Sequence, residues 1–166
     1  MLYIMVDPWL GFRRMSRGCL RDPPAKIHTN ILFGPGCFLT EEFVKKHNIT
    51  HVINCAQPKD CPEWFPKQFP NNYLCLDAQD SLTVNITEWF YEFEKTMNKF
   101  LMESKTIYVH CQAGMNRSGF LCVLYGCKKF GYSFDVMTNT ILRQRPCALT
   151  NLVFKTQVID YIKKLR

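Results

Sequence analysis

The stretch from Thr106 to Tyr125 constrains this chain more than any other. Thr106-Ile107-Tyr108-Val109 is β-branched and aromatic, the composition of a buried strand. Phe120-Leu121-Cys122-Val123-Leu124-Tyr125 is apolar on nearly every side and reads as a buried helix opening at Ser118. A strand and the helix that follows it must therefore both enter one core, joined by a tight loop. Gly114 lets the backbone of that loop approach its neighbours closely. Such a loop can aim successive N–H groups at one point, where the helix start adds partial positive charge. The bowl so formed suits an anion.

Two side chains give the bowl its chemistry. Cys111 stands at the strand end, and a thiol among N–H groups, a helix start and a guanidinium is favoured as the nucleophilic thiolate. Arg117, at the helix mouth, has the planar fork that matches two phosphate oxygens. Thiolate and phosphate cradle together point to nucleophilic attack on phosphorus.

His110-Cys111-x-x-Gly114-x-x-Arg117-Ser118-Gly119 resembles the signature of the cysteine-based protein phosphatases. The resemblance covers roughly Lys26 to Leu165, with Arg145-Pro146 and Asn151-x-x-Phe154-x-x-Gln157 similar to that family's C-terminal pattern. Within the superfamily the chain is most similar to small dual-specificity phosphatases, including the minimal kind that large DNA viruses encode. It is short, and no segment resembles the loop that deepens the pocket of tyrosine-only enzymes. A shallow pocket implies phosphoserine and phosphothreonine as substrates beside phosphotyrosine.

The resemblance implies Cys111 as nucleophile and Arg117 with the backbone of Gln112, Ala113, Gly114, Met115 and Asn116 as the phosphate cradle. It implies Ser118 as donor to the departing thiolate and His110 as a residue that orients the loop. No metal or cofactor is implied. The general acid is expected in Asp77-Ala78-Gln79-Asp80-Ser81. Asp77 and Asp80 are both candidates, and Ala78-x-Asp80 before a helix resembles the family spacing, which favours Asp80.

Composition bounds the rest. The 166 residues suit one domain with a real core, and the net charge of +7 favours anionic partners without choosing among them. Nine cysteines without CxxC spacing suggest free thiols and a reducing compartment, the cytoplasm or nucleus. Residues 1–6 are apolar but too short for a signal core, and no apolar run reaches spanning length, so secretion is not expected.

The expected fold is a single compact α/β domain, with a small, mostly parallel sheet flanked by helices on both faces. Residues 1–25 read as a basic N-terminal arm and 26–166 as the catalytic domain. Lys26 to Phe33 reads as a strand pair, Thr40 as the cap of a short helix, and Ile49 to Asn54 as a strand parallel to its predecessor. Pro58 to Pro70, with four prolines, reads as an irregular loop. Asn85 to Leu101 reads as a core helix, Ser133 to about Arg143 as another with Val136, Met137, Thr140 and Ile141 inward, and a last helix starts near Asn151 with Leu165 on its inner face.

Cys55 follows Val52-Ile53-Asn54, at the carboxyl end of an expected neighbour of the Cys111 strand. A similar placement in the superfamily's phosphoinositide phosphatases implies a redox partner for an exposed Cys111. Cys122 and Cys127 read as carried away by the helix. Three other functions remain open on sequence. An RNA 5′-triphosphatase, with RNA as partner, fits Asn116 and the charge, though Ala113 stands where those enzymes carry His. A phosphoinositide phosphatase would favour Lys where Gln112 and Met115 stand. A catalytically idle phospho-binding module would not need Cys111, Arg117 and Asp80 together. The phosphatase reading takes a phosphorylated protein as its partner.

Overall fold

The computed structural model describes residues 21–166, so most of the basic arm lies outside the described residues. Among the described residues, five strands form one sheet: β1 (Ala25–His28), β2 (Ile31–Pro35), β3 (Ile49–Asn54), β4 (Tyr73–Cys75) and β5 (Thr106–Cys111). Their order is β1-β2-β5-β3-β4. The β1–β2 hairpin is antiparallel, turning through Asn30 at a left-handed φ of 68°. Every other pairing is parallel. The most apolar strand, β5, thus takes the centre. Its register places Pro35 beside Cys111 and Asn54 beside His110, so three strand ends converge on one rim.

Side chains alternate across β5, and each face finds its own helices. Ile107 and Val109 join a large core cluster with α3 (Phe90–Glu103), α4 (Arg117–Phe130), α5 (Phe134–Gln144) and α6 (Leu152–Lys164). Tyr108 points the other way, into a smaller cluster with Leu39, Val52 and Phe65 beneath α1 (Glu41–His47) and α2 (Trp64–Gln68). Fully burying one such side chain contributes about 1.5–3 kcal/mol. Phe93, Phe120 and Phe154, all buried, therefore anchor three of the helices that stand behind the rim.

The helix ends follow from local chemistry. Thr40 accepts from the Phe43 N–H at 3.1 Å, Ser133 from Val136 at 3.1 Å and Asn151 from Phe154 at 3.1 Å. Gly131 ends α4 at φ 74°. Asn85 caps a 3-10 turn, Ile86–Trp89, that leads into α3. On the outer edge of the sheet, the Gln144 amide accepts from the Lys26 N–H at 2.7 Å and donates to the Lys26 carbonyl at 2.9 Å.

The structure corrects the sequence reading in several places. β2 and β3 run parallel but do not pair, because β5 lies between them. The proline-rich stretch is not irregular throughout: it holds 3-10 turns at Pro58–Asp60 and Pro70–Asn72 and the short α2. Pro66 falls in the first turn of α2, where a missing N–H breaks no helical bond. Phe65 is the buried anchor that makes this turn worth forming. Helix α4 opens at Arg117, one residue earlier than expected. Val136 faces outward at 49% exposure, because Met137 and Ile141 alone fill the inner stripe of α5, and Leu165 is likewise exposed beyond the end of α6.

Candidate active site

The loop from Cys111 to Arg117 joins the end of β5 to the start of α4. Gly114 has φ +63°, and a Cβ there would overlap the backbone of Gly34 and Pro35. Only glycine meets both demands, so the loop lies directly on the end of β2. At its floor the Cys111 Sγ sits 3.1 Å from the Ser118 Oγ. Cys111 is only 2% exposed, where the sequence reading expects an exposed thiol. Met115 is buried, whereas Gln112 is exposed and Ala113 half-buried.

Asn116 occupies the N-cap position of α4, but its side chain does not cap the helix. The amide turns away from the helix instead, so it takes none of the N–H groups of the first turn. Its Oδ1 accepts from the Thr150 and Asn151 N–H groups, both at 2.8 Å, and its Nδ2 donates to the Asp80 Oδ2 at 3.0 Å. The other carboxylate oxygen of Asp80 accepts from the Asn151 Nδ2 at 3.0 Å. Asp80 is thus held one residue from Arg117. Asp77 is exposed, at a left-handed φ of 56° where the chain leaves the strand, and it is the next residue, Ala78, whose carbonyl accepts from the Arg117 Nη1 at 3.2 Å. The Arg117 Nε is buried with no acceptor among the described residues. A buried, unanswered guanidinium N–H is costly unless something arrives to accept it.

His110 is fully buried behind the loop, its Nδ1 3.3 Å from the Cys111 carbonyl oxygen. Burial pushes its pKa from 6.5 down to about 4, a backbone hydrogen bond opposes that, and Arg117 adds to it. His110 is therefore neutral at physiological pH. That suits an orienting residue better than a proton donor.

Cys55 also lies at this rim, fully buried, its N–H donating to the His110 carbonyl at 2.7 Å and its own carbonyl accepting from Ala78 at 3.0 Å. Burial raises its pKa strongly, and the neighbouring thiols of Cys111 and Cys122 raise it further. Cys122 is raised by burial and by Cys111. The Cys122 thiol thus remains within electrostatic reach of Cys111 and Cys55. It lies four residues beyond Ser118, on the same face of α4.

A thiol, a convergent loop, an Arg with an unanswered N–H and a tethered carboxylate can bind a phosphoryl group and act on both its sides. The model of the dual specificity phosphatase catalytic domain matches residues 34–164, which contain all of these groups. The chain belongs to the dual specificity phosphatase family. It is 26% identical to human dual specificity protein phosphatase 16 over 146 residues, covering 86% of this chain and 21% of that one. It is 30% identical to the Arabidopsis thaliana protein-tyrosine-phosphatase MKP1 over 142 residues, covering 85% and 18%. Human dual specificity protein phosphatase 22 is 27% identical over 122 residues, covering 74% and 64%. The chain therefore spans about a fifth of the first two relatives and under two thirds of the third. Among solved structures, the human tyrosine phosphatase-like serine/threonine/tyrosine-interacting protein superposes with a TM-score of 0.75 at 24% identity, covering 87% of this chain and 99% of that one. Human DUSP28 gives 0.74 at 19% identity, covering 86% and 95%. These two share the dual specificity phosphatase fold.

Sequence reasoning missed three residues of this site. Asn151 reads as a helix cap and does cap α6, but its Nδ2 is spent on Asp80 and on the Ser81 carbonyl at 3.2 Å. Thr150 carries no signal at all. Arg145 reads as the end of a helix and as part of the family's C-terminal pattern, with no role in the site, yet it is fully buried beneath the Cys111–Arg117 loop. Beyond that pattern, a long charged side chain followed by proline just after an apolar helix stripe is a hint that it points inward.

Proposed function

We propose that this chain is a protein phosphatase that hydrolyses phosphotyrosine and phosphoserine or phosphothreonine monoesters through a cysteinyl-phosphate. The observation that carries the reading is the buried Arg117 Nε without an acceptor among the described residues, in the loop whose floor is the Cys111–Ser118 pair. In the first step the Cys111 sulfur attacks phosphorus, the S–P bond forms and the P–O bond breaks. Asp80 gives its proton to the leaving oxygen. Arg117 and the N–H groups of the loop hold the equatorial oxygens, most strongly in the transition state. In the second step water attacks phosphorus, Asp80 takes its proton, and the S–P bond breaks as Ser118 donates to the departing thiolate. His110 positions the loop. The partner is a phosphorylated protein, in a reducing compartment such as the cytoplasm or nucleus; free thiols at all eight described cysteines support the latter.

The test is a parallel assay on phosphotyrosine peptide, phosphothreonine peptide, phosphoinositide and triphosphate-ended RNA. Turnover of both peptides well above the other two is expected. Preference for the RNA would instead favour the triphosphatase reading.

The same reading extends to redox control. Peroxide converts the Cys111 thiolate to a sulfenic acid, which condenses with a second thiol, releasing water and forming a disulfide. Cys55 is the assigned partner, and Cys122 is the competitor. Peptide mapping after mild peroxide should give a Cys55–Cys111 link that dithiothreitol reverses. A Cys111–Cys122 link, or none, would remove Cys55 from the role.

A further inference from the structure

The phosphate loop is shaped from behind by one short segment, Arg145 to Leu149. Arg145 donates through Nη2 to the Ala113 carbonyl at 3.2 Å and through Nε to the Gly114 carbonyl at 3.1 Å. The Leu149 N–H donates to the Met115 carbonyl at 3.1 Å. Three consecutive carbonyls of the loop thus point to the same side. In a planar trans peptide the C=O of one residue and the N–H of the next point in opposite directions. Fixing the carbonyls of Ala113, Gly114 and Met115 therefore turns the N–H groups of Gly114, Met115 and Asn116 the other way, away from Arg145.

Two features show that the arrangement is built rather than incidental. Arg145 is fully buried, with its guanidinium 5.8 Å from the Phe33 ring centre and 6.0 Å from that of Phe38. Its Nη1 donates to the Asp22 carbonyl at 2.7 Å and the Pro23 carbonyl at 3.0 Å, while the Asp22 carboxylate accepts from the Cys147 N–H at 3.1 Å. Leu149, whose N–H completes the set, adopts φ +59°, a conformation that costs free energy for a leucine.

We infer that Arg145 is the positioning residue of the phosphate cradle: held by the Asp22–Pro23 strap, it sets the direction of the loop N–H groups without touching the substrate. The inference deepens the phosphatase reading and rests on it for its relevance to turnover. It acts only through the loop N–H groups that hold the nonbridging oxygens, so its removal weakens every phosphoryl substrate alike, whatever the leaving group. Loss of an acid does not.

The experiment separates binding from turnover. Tungstate, a tetrahedral oxyanion, is titrated by calorimetry into Cys111→Ser, with and without Arg145→Met, in the full chain. The second substitution should weaken tungstate by about tenfold to a hundredfold, the range typical when partners that orient a ligand set are removed. In the Cys111 background, Arg145→Met should lower kcat/KM by the same factor for aryl phosphates with good and poor leaving groups. Circular dichroism should show the native fold. Tungstate affinity within twofold of the parent, in folded protein, overturns the inference. If Arg145→Met does not fold, Arg145→Lys decides in its place: it keeps the charge but cannot span both carbonyls, so tungstate must still weaken. Absence of peptide phosphatase activity in the parent, with tungstate weakened as expected, would count against the proposed function and leave the cradle assignment standing.

Discussion

The two loops that meet at the rim are built in opposite ways. The cradle loop is buried along most of its length, seated on Gly34 and Pro35 and tied through its carbonyls to Arg145 and Leu149. The acid loop after β4 is exposed at Asp77, Gln79 and Asp80. It is held chiefly where Ala78 meets Arg117 and where two amides grip the Asp80 carboxylate. Donors that must converge on one anion lose their value if they scatter, so they are set in the core. The carboxylate proposed to meet a variable leaving group stands at the surface, oriented by two side chains. Local stability differs accordingly between well-buried and thinly tethered segments.

The largest effect should come from Cys111→Ser. It should abolish turnover while leaving tungstate binding largely intact, since the cradle is backbone and Arg117. Substantial remaining phosphatase activity in the purified variant would break the comparison at its centre. Next, Asp80→Asn should cut turnover of poor leaving groups by about 10²–10⁴, the usual reach of general acid catalysis. Activated aryl phosphates should lose much less in the first step. A larger loss from Asp77→Asn would mean that the wrong carboxylate has been assigned.

Asn151→Ala and Asn116→Ala should each lower kcat by roughly tenfold, and more for poor leaving groups than for good ones, because each frees one oxygen of Asp80. A loss independent of leaving group would place these amides with the cradle rather than with the acid. The smallest effect concerns stability. His110 is neutral in the folded protein down to about pH 4 and protonates near 6.5 once unfolded. Between those values the unfolded state binds more protons, so stability is full above pH 6.5 and declines as pH falls toward 4. His47 and His51, also lowered by burial, act in the same direction. The urea midpoint should be lower at pH 5 than at pH 7.5, and His110→Gln should reduce the difference. An unchanged difference would relocate the proton uptake to the other histidines.

How much of this was legible follows the range of the contacts. Cys111, Gly114 and Arg117 lie within one turn of chain, so their spacing alone announces the bowl. The caps at Thr40, Ser133 and Asn151 act three residues away and are readable for the same reason. The Asn151–Asp80 and Arg145–Gly114 bonds span 71 and 31 residues, and no local pattern encodes them. The sequence places β3 beside β5, but the pairing of β5 with β2 on its other side is hidden in the same way, since sheet order is decided by which strand is most apolar and by what covers it. Val136 misled for a different reason: an apolar residue beside a helix stripe looks inward until the stripe is seen to be full. The four spaced prolines from Pro58 to Pro70 misled because proline forbids helix only beyond the first turn.

The Gln144 side chain that pairs with Lys26 has a consequence for how the molecules behave in a crowded solution. An outermost strand with free N–H and C=O groups invites the strand of another chain to join it. One amide here answers both outward groups of Lys26 at once, as a further strand would. The opposite border is β4, only three residues long, which offers little template. Among the described residues, both borders of the sheet are thereby made poor templates for a strand of another molecule.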